Sequence, residues 1–300
     1  MDRRNFLIGA GALIAAPAAR SASSAPLAET IRLLERRSGG RLGLALLDTG
    51  SGRRFAWRGE ERFPMCSTFK FLLAAAMLAE SEKGRTRLGR RLPIARADLL
   101  PTSPFSETRV GRGATILELC RATMIDSDNA AANLLLPVIG GPAGLTRFAR
   151  SIGDDVSRLD RNELELGEAV PGDPRDTTSP EAMVGNLRLL LLGPTLGPAS
   201  RKRLTDWMIA CRTGKGRLRA GLPAGWRIGN KTGSGANGTC NDIAIVWRPR
   251  QSRPLLVATY LTGASVAPPL RESILASVAN AIAAARPSDF NPAGAARLRS

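Results

Sequence analysis

The string Ser67-Thr68-Phe69-Lys70 is followed along the chain by Ser127-Asp128-Asn129 and Lys231-Thr232-Gly233. Ser67 lies shortly after Pro64 and opens an apolar stretch, which predicts that Ser67 and Lys70 lie one turn apart on the same face of a helix. The chain contains no histidine, although serine hydrolases usually activate their nucleophile through a histidine base. If the protein is a serine hydrolase, lysine and carboxylate side chains must activate the serine.

Each string alone is also compatible with a structural role. Ser67 and Ser127 can cap helices, and Lys231-Thr232-Gly233 can form a turn at the end of the apolar strand that begins at Trp226. However, three individually uncommon strings occur in one order, each at the boundary of a predicted element. This combination favours one shared site of chemistry.

The hydrophobic pattern predicts an α+β fold with an antiparallel five-stranded sheet built from both chain ends. The predicted strands are 41–48 and 53–58, joined by a tight turn, and 226–231, 241–247 and 254–262. Helices are predicted at 26–37, 68–82, 115–125, 129–140, 142–151, 180–192, 199–211 and 270–285. We expect a discontinuous sheet subdomain (26–65 and 210–300) flanked by helices and a helical subdomain (66–209), with the active site between them. The long polar segment 157–179 has no predicted regular structure, which is typical of a functional loop.

The composition is that of a globular protein, with 43% hydrophobic and 23% charged residues. The net charge is +17, and residues 1–25 carry +2 of it, which leaves +15 on the remainder. Nucleic-acid binding is disfavoured because lysine supplies only 5 of the 43 basic residues, the arginines are spread along the chain, and only 13 aromatic residues are available for base stacking. We expect no nucleic-acid partner.

The amino terminus predicts export. Arg3-Arg4-Asn5-Phe6-Leu7 opens an apolar segment that continues to Ala16, which is typical of a twin-arginine signal peptide. This segment spans only about half of a bilayer core as a helix. We therefore expect a signal peptide over residues 1–25, no stable membrane anchor after its cleavage, and a periplasmic or secreted protein.

Four cysteines, Cys66, Cys120, Cys211 and Cys240, are widely separated in the sequence. A zinc site is disfavoured because no two cysteines are close in sequence and histidine is absent. So few cysteines in so long a chain do not imply a disulfide scaffold. We expect buried free thiols.

With these strings in place, the chain resembles the class A serine β-lactamases over residues 26 to 287. Further matches are Arg161-Asn162-Glu163-Leu164-Glu165-Leu166, which resembles the family's Ω-loop signature, its continuation over 171–178, and Ala220-Gly221-Leu222-Pro223 ahead of the Lys-Thr-Gly strand. The resemblance implies a serine β-lactamase and penicillin-binding-protein-like fold, an Ω-type loop over about 158–176, a monomer, a β-lactam substrate, and no metal or organic cofactor. It also implies β-lactam hydrolysis through an acyl-serine intermediate.

The resemblance implies catalytic roles for five residues. Ser67 becomes the nucleophile, Lys70 its basic partner, Ser127 the relay of a proton to the departing ring nitrogen, and Lys231 its electrostatic support. Glu163 activates the water that releases the acyl group. Either Lys70 or Glu163, acting through a water, can accept the serine proton during acylation, and this alternative stays open.

The resemblance also implies how substrate binds. Asn129 faces the acylamide group, and the substrate carboxylate is surrounded by Lys231, Thr232, Gly233 and Ser234, with Arg217 adding positive charge. The backbone N–H groups of Ser67 and Ser234 form the oxyanion hole. An ion pair of Arg161 and Asp176 closes the neck of the loop that carries Glu163.

The chain departs from the family pattern at several positions. Gly167 replaces a common asparagine that helps to hold the deacylating water, and Thr102 replaces a common aromatic residue at the rim of the site. The disulfide partners that the family provides for Cys66 and Cys120 are here Gly235 and Ala74, so both thiols are expected to be free. Because of Gly167, a β-lactam-binding sensor with little turnover is an alternative function, whereas Glu163 argues against a cell-wall DD-peptidase.

Overall fold

The computed structural model describes residues 26–290, so the predicted signal peptide at 1–25 lies outside the described residues. Its helices are α1 (Leu27–Ser38), α2 (Phe69–Glu82), α3 (Pro104–Glu107), α4 (Ile116–Ile125), α5 (Asn129–Leu135), α6 (Gly141–Ser151), α7 (Pro180–Leu191), α8 (Pro198–Ile209), α9 (Leu218–Gly221) and α10 (Pro268–Ala284). Its strands are β1 (Arg41–Asp48), β2 (Arg54–Trp57), β3 (Phe63–Pro64), β4 (Arg91–Leu92), β5 (Ala114–Thr115), β6 (Thr177–Thr178), β7 (Arg227–Ser234), β8 (Cys240–Trp247) and β9 (Leu255–Thr262).

The predicted antiparallel five-stranded sheet is confirmed, with the strand order β2-β1-β9-β8-β7. The hairpin from the start of the chain therefore joins the three strands from its end through the β1–β9 pair. Strand β7 forms one edge of this sheet. The edge position leaves the Lys231-Thr232-Gly233 segment accessible to elements of the helical region.

The two faces of the sheet are covered by different helices because side chains alternate along each strand. On one face, Ile243, Ile245 and Tyr260 belong to the core that includes α2. On the other face, Ala244 and Val246 belong to a second core, which includes residues of α1 and α10. The sheet thus forms a layer between two sets of helices.

Helix α2 is the central element of the helical region. Every side chain from Phe69 to Ala79 is buried, which explains its nearly continuous apolar sequence: a helix that is apolar on all sides is a buried helix. This burial fixes the position of the residues at its amino end, among them Lys70.

Two predicted boundaries differ from the structure by three residues or more. The helix predicted at 129–140 ends at Leu135 and continues as a 3-10 helix over Leu136–Ile139, since Pro137 has no backbone N–H to continue the α-helical bonding and Gly140 has a φ of 87°. The strand predicted to end at 231 extends to Ser234. Residues 231–233 therefore lie inside β7, paired with Ile243, Asp242 and Asn241.

The predicted irregular loop at 157–179 contains one short 3-10 helix, Glu165–Gly167, and the two residues of β6. Strand β6 pairs with β3, with Phe63 opposite Thr178 and Pro64 opposite Thr177. This short ladder holds the end of the loop beside the segment that leads to Ser67. Within residues 26–290, no helix combines the length and the apolar character that crossing a membrane requires.

Candidate active site

Ser67 lies in a 3-10 turn, Cys66–Thr68, directly before α2. Cys66 has a φ of 44°, a conformation that is uncommon for a residue with a side chain and costs on the order of 1–3 kcal/mol. The strained turn is held from the sheet side, because the Asn241 side-chain amide donates to the carbonyl oxygens of Pro64 (2.8 Å) and Met65 (3.2 Å). The nucleophile candidate is thus fixed between β8 and the start of α2.

Lys70 is fully buried one turn after Ser67. Its Nζ donates to Ser67 Oγ at 3.0 Å and to the Ser127 carbonyl oxygen at 2.8 Å. It also lies 2.5 Å from Asn129 Oδ1 and 2.9 Å from Glu163 Oε1. This one ammonium group therefore connects the first two strings with the loop that carries Glu163.

Ser127 joins the two lysines. Its Oγ accepts a hydrogen bond from Lys231 Nζ at 3.0 Å and lies 3.5 Å from Lys70 Nζ. Its φ is 60°, so the turn between α4 and α5 is also strained at this residue. Asp128, the next residue, caps α5 through a bond from Ala131 N at 2.8 Å, which explains the aspartate of the string.

Glu163 reaches the nucleophile directly. Ser67 Oγ donates to Glu163 Oε1 at 3.1 Å, and Glu163 is buried, with 9% of its surface exposed. Asn133 on α5 holds its backbone on both sides, with Glu163 N donating to Asn133 Oδ1 (2.9 Å) and Asn133 Nδ2 donating to Glu163 O (2.7 Å). Sequence reasoning missed Asn133; the sign available was a polar residue four positions after Asn129, on the same face of α5.

The expected ion pair at the neck of the loop is present. Arg161 Nε lies 2.6 Å from Asp176 Oδ2. The other oxygen of Asp176 accepts the backbone N–H groups of Asp160 (2.7 Å) and Arg161 (3.0 Å). Asp176 is 1% exposed, so the two ends of the loop are joined by a buried, fully bonded carboxylate.

Arg217 lies against the end of β7. Its guanidinium donates to Ser234 Oγ (2.7 Å), Gly233 O (2.9 Å) and Asn241 O (2.8 Å), and it pairs with Glu272 Oε1 at 3.1 Å. It is 7% exposed. The arginine therefore adds a fixed positive charge beside Ser234.

Thr232 and Gly233 complete this edge. Thr232 Oγ1 lies 2.6 Å from Thr213 Oγ1, a contact that the sequence did not predict. A Cβ at position 233 would lie 2.7 Å from the Met65 carbonyl oxygen. Glycine is required here because the turn before Ser67 packs directly on the strand.

Burial has the largest effect on the pKa values of Lys70 and Lys231. It lowers the pKa of Lys70, an effect that the Glu163 carboxylate opposes. It also lowers the pKa of Lys231 from 10.5 to about 7, and the positive charges of Lys70 and Arg217 contribute to the same decrease. Two ammonium groups with lowered pKa values lie close to the Ser127 hydroxyl, an arrangement that is suited to proton transfer.

The side-chain amide of Asn129, expected to bind substrate, is already hydrogen-bonded within the protein at both its oxygen and its nitrogen. Its Oδ1 is bonded to Lys70, and its Nδ2 donates to the Pro101 carbonyl oxygen at 2.8 Å. Its backbone N–H donates to the carbonyl oxygen of Thr102 at 3.0 Å. Asn129 thus ties the rim segment to the lysine.

The four cysteines are free and buried. Burial raises the pKa of the Cys66 thiol to about 12 and that of Cys240 to about 11, and it also raises the pKa of Cys120. A Cβ at Gly235 would lie 2.6 Å from Cys66 Sγ. At Gly167, a Cβ would meet nothing within 4 Å, so a larger residue would fit at this position.

The structure brings all the predicted site residues together at the junction of α2, α5, β7 and the 157–179 loop. A serine within hydrogen-bond distance of a buried lysine and a buried glutamate, with a second lysine at a second serine, defines a histidine-free serine acyl-transfer site. Residues 26–285 match the profile of a family described as the β-lactamase enzyme family. The chain belongs to this family, and its relatives place it in class A.

Two curated relatives illustrate the similarity. β-Lactamase L2 of Stenotrophomonas maltophilia is 45% identical over 293 residues, covering 93% of this chain and 97% of the relative. The carbapenem-hydrolysing β-lactamase KPC of Klebsiella oxytoca is 46% identical over 254 residues, covering 84% of this chain and 86% of the relative.

Solved structures agree. The class A β-lactamase of the last common ancestor of Gram-negative bacteria superimposes with a TM-score of 0.85 at 58% identity, covering 87% of this chain and 99% of that one. A β-lactamase from Xanthomonas campestris has a TM-score of 0.84 at 54% identity, covering 85% and 96%. The chain is therefore a serine β-lactamase hydrolase by family and by fold.

Proposed function

We propose that this protein inactivates β-lactams in two covalent steps, acylation of Ser67 and hydrolysis of the acyl-serine by a water that Glu163 activates. The observation that carries the proposal is the position of Ser67 Oγ, 3.0 Å from Lys70 Nζ and 3.1 Å from Glu163 Oε1. One serine oxygen thus has two candidate proton acceptors within hydrogen-bond distance.

In acylation, Ser67 Oγ attacks the β-lactam carbonyl carbon and loses its proton to Glu163 or to a neutral Lys70. The backbone N–H groups of Ser67 and Ser234 stabilise the oxyanion. The ring C–N bond then breaks, and the nitrogen takes a proton from Ser127 Oγ. The proton that left Ser67 passes through Lys70 Nζ to Ser127 Oγ, 3.5 Å away, which leaves Glu163 ionised for the next step. Lys231 Nζ, 3.0 Å from that oxygen, stabilises the charge that develops on it.

In deacylation, Glu163 removes a proton from water, and the water oxygen attacks the ester carbonyl. The bond from the carbonyl carbon to Ser67 Oγ breaks, and Oγ takes the proton that Glu163 removed from the water. The buried position of Glu163 and its two backbone bonds to Asn133 support this role. Because Asn133 holds the backbone of Glu163, the carboxylate would stay at a fixed distance from the attacking water.

Substrate orientation follows from charge. A buried arginine and a buried lysine at one edge of β7, with the hydroxyl groups of Thr232 and Ser234 between them, suit the carboxylate that penicillins and cephalosporins share. Asn129 would bind the acylamide group after exchanging one of its present partners, Lys70 or Pro101 O.

A second candidate function is a β-lactam sensor that is acylated but turns over slowly. Gly167 favours it, since this residue has no side chain to hold a water. The direct reach of Glu163 to Ser67 favours hydrolysis instead. We regard hydrolysis as the function that the geometry supports best.

The proposal includes the organisation of the chain. A sheet subdomain of 26–65 and 210–300 and a helical subdomain of 66–209 would each supply one wall of the site. Export by the twin-arginine route would place a monomeric enzyme in the periplasm or outside the cell, with no nucleic-acid partner and no membrane anchor.

The test follows β-lactam ring opening by absorbance, with intact-mass spectra of the protein, for a penicillin and a cephalosporin. The unmodified protein should complete many turnovers, and Ser67→Ala should complete none. Glu163→Ala should accumulate an acyl adduct, because the loss of a general base slows the step by about 10²- to 10⁴-fold.

Glu165→Ala is the matched control, because Glu165 is an exposed neighbour on the same loop, and its turnover should equal that of the unmodified protein. One adduct per protein without turnover in the unmodified protein would establish the sensor instead. Slower acylation in Glu163→Gln would identify Glu163 as the acylation base, and unchanged acylation would assign that role to Lys70.

A further inference from the structure

The turn that joins β7 to β8, residues 235–239, touches both the nucleophile turn and the loop that carries Glu163. A Cβ at Gly235 would lie 2.6 Å from Cys66 Sγ and 2.7 Å from the Gly167 carbonyl oxygen. Three chain segments therefore pack so closely at Gly235 that a methyl group on this residue would not fit. The turn and the loop are thus in direct contact at this point.

Asn237 is the side chain that binds the turn to the loop. Its Nδ2 donates to the carbonyl oxygens of Glu168 (3.0 Å) and Ala169 (3.2 Å). The backbone N–H of Ala236 donates to Gly167 O at 2.9 Å. Among the described residues, these are the hydrogen bonds that the sheet region makes to residues 164–170.

Asn237 is itself held in place. Its φ is 49°, in the left-handed region that asparagine adopts more readily than most residues. Its carbonyl oxygen accepts a bond from Gly263 N, at the end of β9, at 2.7 Å. The amide is thus presented to the loop from a fixed point of the sheet.

The bonded carbonyls are coupled to Glu163 through one short helical run. Leu166 N donates to Asn162 O (3.0 Å), Gly167 N to Leu164 O (2.8 Å) and Glu168 N to Glu165 O (3.0 Å). Since these bonds make residues 162–168 one unit, the position of its end sets the position of Glu163. Asn133 holds this unit from the helical side, and Asn237 holds it from the sheet side.

We propose that Asn237 is a positioning residue for deacylation, which fixes the Glu163-bearing run of residues 162–168 against the β7–β8 turn. The proposal rests on the proposed function of Glu163. The step affected is the transfer of a proton from water to Glu163 as the water oxygen attacks the acyl-serine. The proposal takes Lys70 as the acylation base, so acylation is affected much less, because Lys70 on α2 bonds to Ser67 and to Ser127 in the turn between α4 and α5.

The test compares Asn237→Gly and Asn237→Asp with the unmodified enzyme. Glycine suits the positive φ and removes the amide, whereas aspartate keeps the shape but offers only oxygen atoms to two carbonyl oxygens. Quenched samples analysed by intact mass give the acylation and deacylation rates separately. Deacylation should fall about tenfold in both variants, as loss of a hydrogen-bond pair implies, while acylation stays within about twofold and acyl-enzyme accumulates.

Arg250→Gly is the matched control. Arg250 also has a positive φ, 60°, in the turn at the other end of β8, and it is exposed. Both rates should remain those of the unmodified enzyme. The proposal is overturned if the Asn237 variants match this control, or if both rates fall together in proportion to a lower Tm.

Hydrogen exchange of the backbone amides of residues 164–169 separates this proposal from the proposed function. Faster exchange in Asn237→Gly than in Arg250→Gly supports the fixing of residues 162–168 by Asn237, even if the unmodified protein never turns over a β-lactam. Equal exchange in the two variants overturns it, whatever the catalytic result.

Discussion

At the scale of single residues, Lys231 shows how burial changes the protonation of a group to which we assign a role in substrate binding. Burial lowers its pKa to about 7, so the ammonium is charged below that pH and loses its charge as the pH rises through it. We predict that KM for carboxylate-bearing β-lactams increases above pH 7, by up to about tenfold per pH unit. Steady-state kinetics between pH 5.5 and 9 measure this dependence.

Lys231→Arg provides the control for this prediction, because a guanidinium stays charged throughout the range. Its KM should not rise above pH 7. A flat KM profile in the unmodified enzyme would contradict the prediction. The effect on stability has the opposite direction: the unfolded chain binds the Lys231 proton up to a higher pH than the folded protein does, so this group's contribution to the free energy of unfolding increases with pH above 7.

Residues that the sequence did not predict share one property. Asn133, Thr213, Asn237 and Asn241 act through partners that are distant in the sequence, such as Glu163 for Asn133 and the Pro64 carbonyl for Asn241. The periodic pattern around Asn133 and Asn241 predicts the helix and the strand that carry them, but not the distant partners that they bind. In contrast, Ser67 and Lys70 are three residues apart across the junction of the 3-10 turn and α2, so their proximity could be predicted from spacing.

At the scale of elements, most helices and strands follow from apolar patterns, and the exceptions have local causes. The end of α5 was misplaced because Pro137 permits a 3-10 continuation, and the length of β7 because pairing with β8 continues through three polar or small residues. Two-residue strands such as β3 and β6 cannot be predicted from sequence. They exist only because the loop and the segment before Ser67 meet.

In the proposed mechanism, turnover depends on the stability of the 157–179 loop, because this loop carries Glu163. Asp176 accepts three hydrogen bonds while buried, two of them from Arg161, through its backbone N–H and its Nε. We predict that Asp176→Asn lowers the free energy of unfolding by roughly 2–4 kcal/mol, because Arg161 then loses its buried counter-charge. Deacylation should slow more than acylation, since the loop carries Glu163; urea denaturation and quenched-flow mass spectra measure the two effects.

Asp206→Asn is the control for the loop variant. Asp206 makes an exposed ion pair with Lys202 on α8, with 53% of its side chain accessible, and exposed pairs contribute little. The control should keep its stability and both rates. Equal behaviour of the two variants would show that the neck of the loop does not depend on the Arg161–Asp176 pair.

At the scale of the whole molecule, the two cores share the sheet, so the helical and sheet parts are expected to unfold together. The four cysteines lie in separate parts of this unit: the 3-10 turn at Ser67, α4, the segment directly after α8, and β8. A thiol reacts as its thiolate and only when reagent reaches it. Burial opposes both conditions, and it raises the pKa of Cys66 to about 12 and that of Cys240 to about 11.

We therefore predict that, at neutral pH, the cysteines of the unreduced native protein react with a thiol reagent only at the rate at which unfolding exposes them. The denatured, unreduced protein should contain four reactive thiols. The reaction in native buffer should accelerate in parallel for all four cysteines as denaturant approaches the unfolding midpoint, because each becomes accessible through the same cooperative transition. Peptide mapping of alkylated cysteines measures each rate. Two thiols after denaturation would reveal a disulfide, and a cysteine that reacts well before the others would show that its part of the molecule opens independently.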